Sequence, residues 1–109
     1  MLYQIFVYVP IQNVQDVKEA LFDAGAGRYE NYDRCSWETS GMGQFRPLEG
    51  ANPFLGTLDA VHTVEEIRVE TVCAPDFLHG VLIALKKAHP YEEPAYGVIE
   101  LKTIEDFSE

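Results

Sequence analysis

The segment PDFLHGVLIALKKAHPYEEPAYGVIELKTI, Pro75 to Ile104, contains a helix, the signal that ends it and a strand, and its reading decides the fold. Proline suits the first turn of a helix, where its missing N–H would have no partner anyway. Leu78, Val81, Leu82, Leu85 and Ala88 then recur at helical spacing and form one apolar stripe. Lys86 and Lys87 complement the negative end of the helix dipole. Pro90 disfavours the α conformation at His89 and stops the helix there. AYGVIELKTI follows as a strand, and DFSE is a short acidic tail.

Working outward, the same order appears at the other end of the chain. LYQIFVYVP, residues 2 to 10, is rich in β-branched and aromatic residues, and Pro10 closes it. Its odd and even positions are both largely apolar, which predicts a central strand. Asn13 then suits a helix N-cap, Asp16 lies in the first turn, and Val14, Val17, Leu21 and Ala24 follow at helical spacing. Gly25 supplies the stop.

Between these halves, RYENYDRCSWETS reads as a strand. Asp33, Cys35, Trp37 and Thr39 share one face, and Tyr32, Arg34, Ser36 and Glu38 share the other. GMGQFRPLEGANPFLG, with four glycines and two prolines, predicts an irregular loop or a bent hairpin. Val64 to Val72 alternates, placing Ile67, Val69 and Thr71 on one side of a further strand. The resulting order is that of an α+β, ferredoxin-like βαββαβ sandwich, one antiparallel sheet with two helices on one face. At 109 residues it is expected to form one domain, 1–109.

Composition narrows the function. Eighteen acidic against eight basic residues leave a net charge of −10, which repels phosphate backbones and anionic membranes, so neither nucleic acid nor membrane is expected as a partner. No apolar run approaches the roughly 18 residues of a spanning helix. MLYQIFVYVP lacks a basic start and a cleavage site, and reads as a strand rather than a signal peptide. Cys35 and Cys73 fit neither a CxxC nor a zinc-finger spacing, so two reduced thiols in a cytoplasmic protein are expected.

AHPYEEPAYG, Ala88 to Gly97, is the densest cluster of chemistry-bearing residues. As structure, His89 can cap the last helical carbonyls, and Tyr91 and Tyr96 can pack on the sheet. As chemistry, an imidazole with a carboxylate three residues on, His89 with Glu92, could supply part of a divalent-metal site completed by a neighbouring subunit. Glu92 and Glu93 are adjacent and, if extended, point to opposite faces, so they do not form a catalytic pair. His62 and His79 stand alone and read as surface or capping residues.

The segment HPYEEPAY resembles the "HPYE.P" signature that ends the second helix in the CutA divalent-ion tolerance family, a trimeric ferredoxin-like fold. The stretch GAGRYENYDRCSWETSGMGQFRPLEGANPFLG differs from CutA. It is similar instead to the CutA- or PII-like domain inserted in YqfO-type members of the Nif-three-like family, where "CS" and "G.G.F.P.....P..G" precede "HPYE.PAY". The resemblance implies a stand-alone copy of that insert. The family's two-metal site belongs to its other domain and is not carried over. Likeness to CutA implies His89 as the first candidate for metal contact and Glu92 as the second, and a homotrimer as the assembly.

Two remaining signals are weaker. Gly25-Ala26-Gly27 follows a helix, and Gly41-Met42-Gly43 precedes none, so neither is a strand–glycine–helix phosphate loop. PII-like domains nevertheless use loops at this position for small effectors. Gly41, Gly43 and Arg46, with Arg28 and Arg34 and the aromatic residues Tyr29, Tyr32, Trp37 and Phe45, are therefore candidates for a small anionic ligand. Cys35 lacks a nucleophile elbow and reads as a small core residue beside Trp37, so no catalytic residue is assigned. The expected function is a non-enzymatic regulatory or sensory module that binds a divalent metal or small ligand at a subunit interface. The alternatives are an assembly domain that docks on a partner protein and, third, a metal-dependent hydrolase.

Overall fold

The first strand, β1 (Leu2–Pro10), lies inside the sheet, as its two apolar faces require. The computed structural model describes residues 1–108. Helix α1 (Val14–Asp23) follows, then β2 (Ser36–Phe45), β3 (His62–Cys73), helix α2 (Pro75–Ala88) and β4 (Tyr96–Leu101). The four strands form one antiparallel sheet in the order β2-β3-β1-β4. This is the ferredoxin-like βαββαβ arrangement. No helix among the described residues is long and apolar enough to cross a membrane.

Strand alternation sorts the sheet into two faces. Ile5, Val7 and Val9 of β1, with Val69 and Cys73 of β3, turn to the helices and are fully buried. Val14, Val17 and Leu21 of α1 and Val81 and Leu85 of α2 close the core over them. Each such side chain contributes about 1.5–3 kcal/mol of transfer free energy. The opposite face carries Phe6, Tyr8, Glu66, Arg68 and Trp37, set side by side by the register Tyr8↔Arg68, Phe6↔Glu70 and Trp37↔Glu70. Among the described residues, no helix or strand covers this face.

The helix ends show how local sequence positions the layers. Asn13 occupies the N-cap position of α1, but its side chain makes no capping bond. A 3-10 turn, Ile11–Asn13, runs directly into the helix, and the Val14 amide donates to the Ile11 carbonyl instead. At the other end Ala26 N–H donates to Leu21 O and Gly25 N–H to Phe22 O, each at 3.0 Å, the paired bonds of a Schellman stop. Gly25 has φ of 120°, and a Cβ there would lie 2.8 Å from the Phe77 ring. Glycine is therefore what lets the end of α1 approach α2.

The middle of the chain corrects two expectations. The strand expected at RYENYDRCSWETS begins only at Ser36. Tyr29 and Tyr32 close a tight turn through reciprocal 2.9 Å backbone bonds, and Glu30 and Arg34 take positive φ, which no strand tolerates. Cys35 consequently precedes the strand, half-buried, and Trp37 is 69% exposed, so the two do not pack together in the core.

The second correction concerns GMGQF, which is regular strand and not irregular loop. Every residue from Gly41 to Phe45 pairs with β3, down to Phe45↔His62. The glycines mark a close side-chain approach, since a Cβ on Gly43 would meet the Glu66 carboxylate. The irregular segment is confined to residues 46–61, where Gly50 and Gly56 have φ of 96° and 90°. Among the described residues, only β2 pairs with residues 62–65 of β3, so this ribbon projects past β1 and helps stretch the molecule to 55 × 26 × 24 Å.

Candidate functional site

His89 forms the C-cap of α2 with extended φ and ψ of −72° and 135°, as Pro90 dictates. Its backbone N–H still donates to Leu85 O at 2.9 Å. The side chain is only 6% exposed and turns toward β1. Nε2 lies 2.7 Å from the Tyr8 carbonyl, and Nδ1 accepts the Tyr91 backbone N–H at 3.1 Å. A carbonyl can only accept and an amide N–H can only donate, so the proton sits on Nε2 and the ring is neutral. Burial lowers its pKa below the ordinary histidine value, partly offset by the Tyr8 carbonyl and the Glu66 charge.

With Tyr91's backbone held by the imidazole, its hydroxyl donates to Glu66 Oε2 at 2.7 Å. Burial, followed by the Glu66 bond and charge, pushes that hydroxyl well above the ordinary tyrosine range. The Tyr91 ring stands 4.9 Å from His89, 6.2 Å from Phe45 and 6.4 Å from Phe54, centre to centre. Glu92 Oε1 accepts the Asn52 N–H at 3.1 Å and ties the 46–61 segment to the residues after the helix. His62 Nε2 accepts the Thr57 N–H at 3.0 Å while its ring stacks on Phe45.

Together these ties hold open a cleft of about 440 Å³ between the 46–61 segment, the end of β2 and HPYEEPAY. Phe45, Phe54, Leu55 and Tyr91 give it apolar walls, and Arg46, Glu66, Glu92 and Glu93 are its charged groups. A second cleft on the open sheet face begins at the same Glu66 and runs along Gly41 and Gly43 to Tyr8 and Arg68. Arg68 there donates to the Tyr8 hydroxyl at 2.6 Å, lies 4.3 Å over the Phe6 ring and pairs with Glu70 at 3.5 Å.

The sequence candidates are thus distributed unequally. Glu92 lines the first cleft, whereas His89 lies behind Tyr91 and does not line it. Both ring nitrogens of His89 are engaged, so metal contact would require it to release one bond. Among the described residues, no group of three or more His, Cys, Asp or Glu is placed to hold a metal ion. Arg46 lines the first cleft, and Gly41 and Gly43 the second.

The expected cluster of arginines does not converge. Arg34 pairs with Glu19 at 3.2 Å, and Arg28 lies over Phe77, both beside the helices. Of the aromatic residues named with them, Phe45 alone lines the first cleft. Glu66, Arg68, Phe54 and the ring of Tyr91 were absent from the sequence candidates. The alternation of Val64 to Val72 carries a usable signal, since it sets Glu66, Arg68 and Glu70 together opposite Ile67, Val69 and Thr71.

Comparison with known proteins places this geometry in context. No protein-family model matches the chain. It is 44% identical over 100 residues to a protein of Halalkalibacterium halodurans named GTP cyclohydrolase 1 type 2 homolog, covering 92% of this chain and 27% of that protein. A Mycobacterium leprae protein of the same name is 45% identical over 95 residues, 87% of this chain and 25% of that one. The chain therefore spans about a quarter of the length of the curated relatives it matches. Among solved structures, a Bacillus cereus protein related to NIF3 superposes with a TM-score of 0.80 at 37% identity, over 94% of this chain and 26% of that one. The periplasmic divalent cation tolerance protein CutA of Archaeoglobus fulgidus superposes with a TM-score of 0.68 at 15% identity, over 94% and 86% of the two chains. That second likeness is one of fold. The resemblance to Nif-three-like proteins and the likeness to CutA in fold, both drawn from the sequence, are borne out.

Proposed function

Because the chain is similar to about a quarter of the length of NIF3-related proteins and shares the CutA fold, we propose that it is a non-enzymatic regulatory or sensory module with a small-ligand site in the cleft beside HPYEEPAY. One observation carries this reading. The buried His89 fixes Tyr91 between Phe45 and Phe54 and on Glu66, so the cleft is preformed instead of assembled by the ligand. Its volume lies within the roughly 300–1,000 Å³ usual for small-molecule sites, and a few charged groups among apolar walls give it a means of selection. None of this chain's residues is proposed as catalytic.

The bare sheet face and the free edge of β2 support self-association. Trp37, 69% exposed, and Ile99, 44% exposed, lie on a surface that a second copy would cover, and a homotrimer is the proposed state. A divalent metal ion is the second reading, supported by the divalent cation tolerance named for the fold neighbours. It would use Glu92 and a released His89, with further ligands from another copy.

The deciding experiment is a thermal-shift screen of metal-free protein against divalent ions, nucleotides, amines and organic acids, with Phe54→Ala and His89→Ala in parallel. A shift lost in Phe54→Ala supports the cleft. A shift with one ion that is kept in Phe54→Ala and lost in His89→Ala moves the site to the metal reading. No shift with any compound overturns the ligand reading and leaves an assembly domain that docks on a partner protein.

A further inference from the structure

We infer that the cleft selects a small organic cation, an amine or amidine on an apolar or aromatic body, with Glu66 receiving its charge. The inference rests on the cleft being a ligand site and adds the chemical class.

The charged lining is three carboxylates, Glu66, Glu92 and Glu93, against the single guanidinium of Arg46. Glu92 is already engaged with the Asn52 amide. Glu66 Oε2 accepts the Tyr91 hydroxyl, and that bond fixes the direction of the carboxylate. Among the described residues, neither Glu66 Oε1 nor Glu93 has a hydrogen-bond or ion-pair partner.

An obvious partner for Glu66 exists and is directed elsewhere. Arg68 lies two residues along on the same face, yet its guanidinium is taken up by the Tyr8 hydroxyl, the Phe6 ring and Glu70. Glycine at position 43 then leaves room for the Glu66 carboxylate to lie over β2, where any Cβ would displace it. The result is an oriented, half-buried carboxylate that lines both clefts, its Oε1 lying against Gly43 without a hydrogen-bond partner among the described residues.

The walls favour the same sign of charge. Phe45, Phe54 and Tyr91 line the cleft with aromatic rings, and a cation held against such a ring is attracted by its quadrupole. A net charge of −10 raises the local concentration of cations and repels phosphates and carboxylates. An amidine offers two parallel N–H donors to one carboxylate, the bidentate geometry that makes such pairs strong. The converging arginines that an anionic ligand would need are absent from this cleft.

The test is calorimetric titration of the full chain with benzamidine and phenethylamine as cations, benzyl alcohol as a neutral probe and benzoate as an anion. The cations should bind saturably and more weakly at high salt, with at least roughly tenfold preference over benzoate. Glu66→Gln, confirmed as folded by its thermal melt, should lose most of that preference. Gly43→Ala should weaken cation binding while leaving the charge in the chain. The inference is overturned if benzoate or benzyl alcohol binds as tightly as benzamidine, if Glu66→Gln leaves benzamidine affinity unchanged, or if neither cation binds. Benzoate or benzyl alcohol binding as tightly as benzamidine, and lost in Phe54→Ala, would overturn the cation class and keep the cleft as a ligand site.

Discussion

Replacing His89 by alanine separates a structural role for the histidine from a metal-binding one. The substitution removes two hydrogen bonds from a side chain that is 6% exposed, and orphans the Tyr8 carbonyl and the Tyr91 amide. Each unsatisfied buried group costs about 1–3 kcal/mol, and small adjustments that admit water will recover part of it. A net loss of about 3 kcal/mol is expected, and at about 4 °C per kcal/mol for a domain of this size the melting temperature should fall by about 12 °C. Circular-dichroism melts in a chelator at neutral pH measure it directly. The pH dependence has a defined sign. Burial holds the folded pKa of His89 below the ordinary value of 6.5, so the unfolded chain takes up its proton first as pH falls. The stability that neutral His89 contributes is present above that value and is lost as pH descends from it through the folded pKa. The gap between wild type and His89→Ala should therefore narrow on acidification. A mutant that melts within about 2 °C of wild type in chelator, or a gap that widens toward acid, would refute this account of the residue.

Other substitutions probe the supporting structure. Leu85→Ala, in the fully buried stripe of α2, should cost about 2–5 kcal/mol in urea unfolding. Gly97→Val should cost about 1–3 kcal/mol, because its Cβ would lie 2.5 Å from the Phe6 ring across β1 and β4. Glu92→Ala removes the acceptor of the Asn52 amide, so limited proteolysis should cut the 46–61 segment faster while the melting temperature stays nearly unchanged. Trp37→Asp should reduce the sedimentation coefficient if the open sheet face is where copies meet, and leave it unaltered if they meet elsewhere.

The parts of the fold legible in the sequence are those where one periodicity dominates. The stripe from Leu78 to Ala88, the double-faced apolar run of β1 and the stop at Pro90 each had a single consistent reading, and each element formed there. Position 43 left loop and hairpin both open because glycine serves both turns and close strand approaches, and the difference lies in Glu66, more than twenty residues away in the chain. Tyr29 and Tyr32 look like strand formers by type, but their mutual backbone pairing makes them a turn. The candidate site was half visible. HPYEEPAY marks itself by composition, whereas the meeting of Phe45, Phe54, Tyr91 and Glu66 depends on how the 46–61 segment folds back, which no local pattern encodes.

The chain's one tryptophan sits on the uncovered face of its edge strand. Its indole is in water in the folded monomer and will be in water again in the unfolded chain. Intrinsic fluorescence should therefore be nearly silent to unfolding of an isolated chain, yet shift to the blue when another surface settles on the sheet. The protein carries its own optical probe of association, and a melt followed by emission would report dissociation where circular dichroism reports loss of structure.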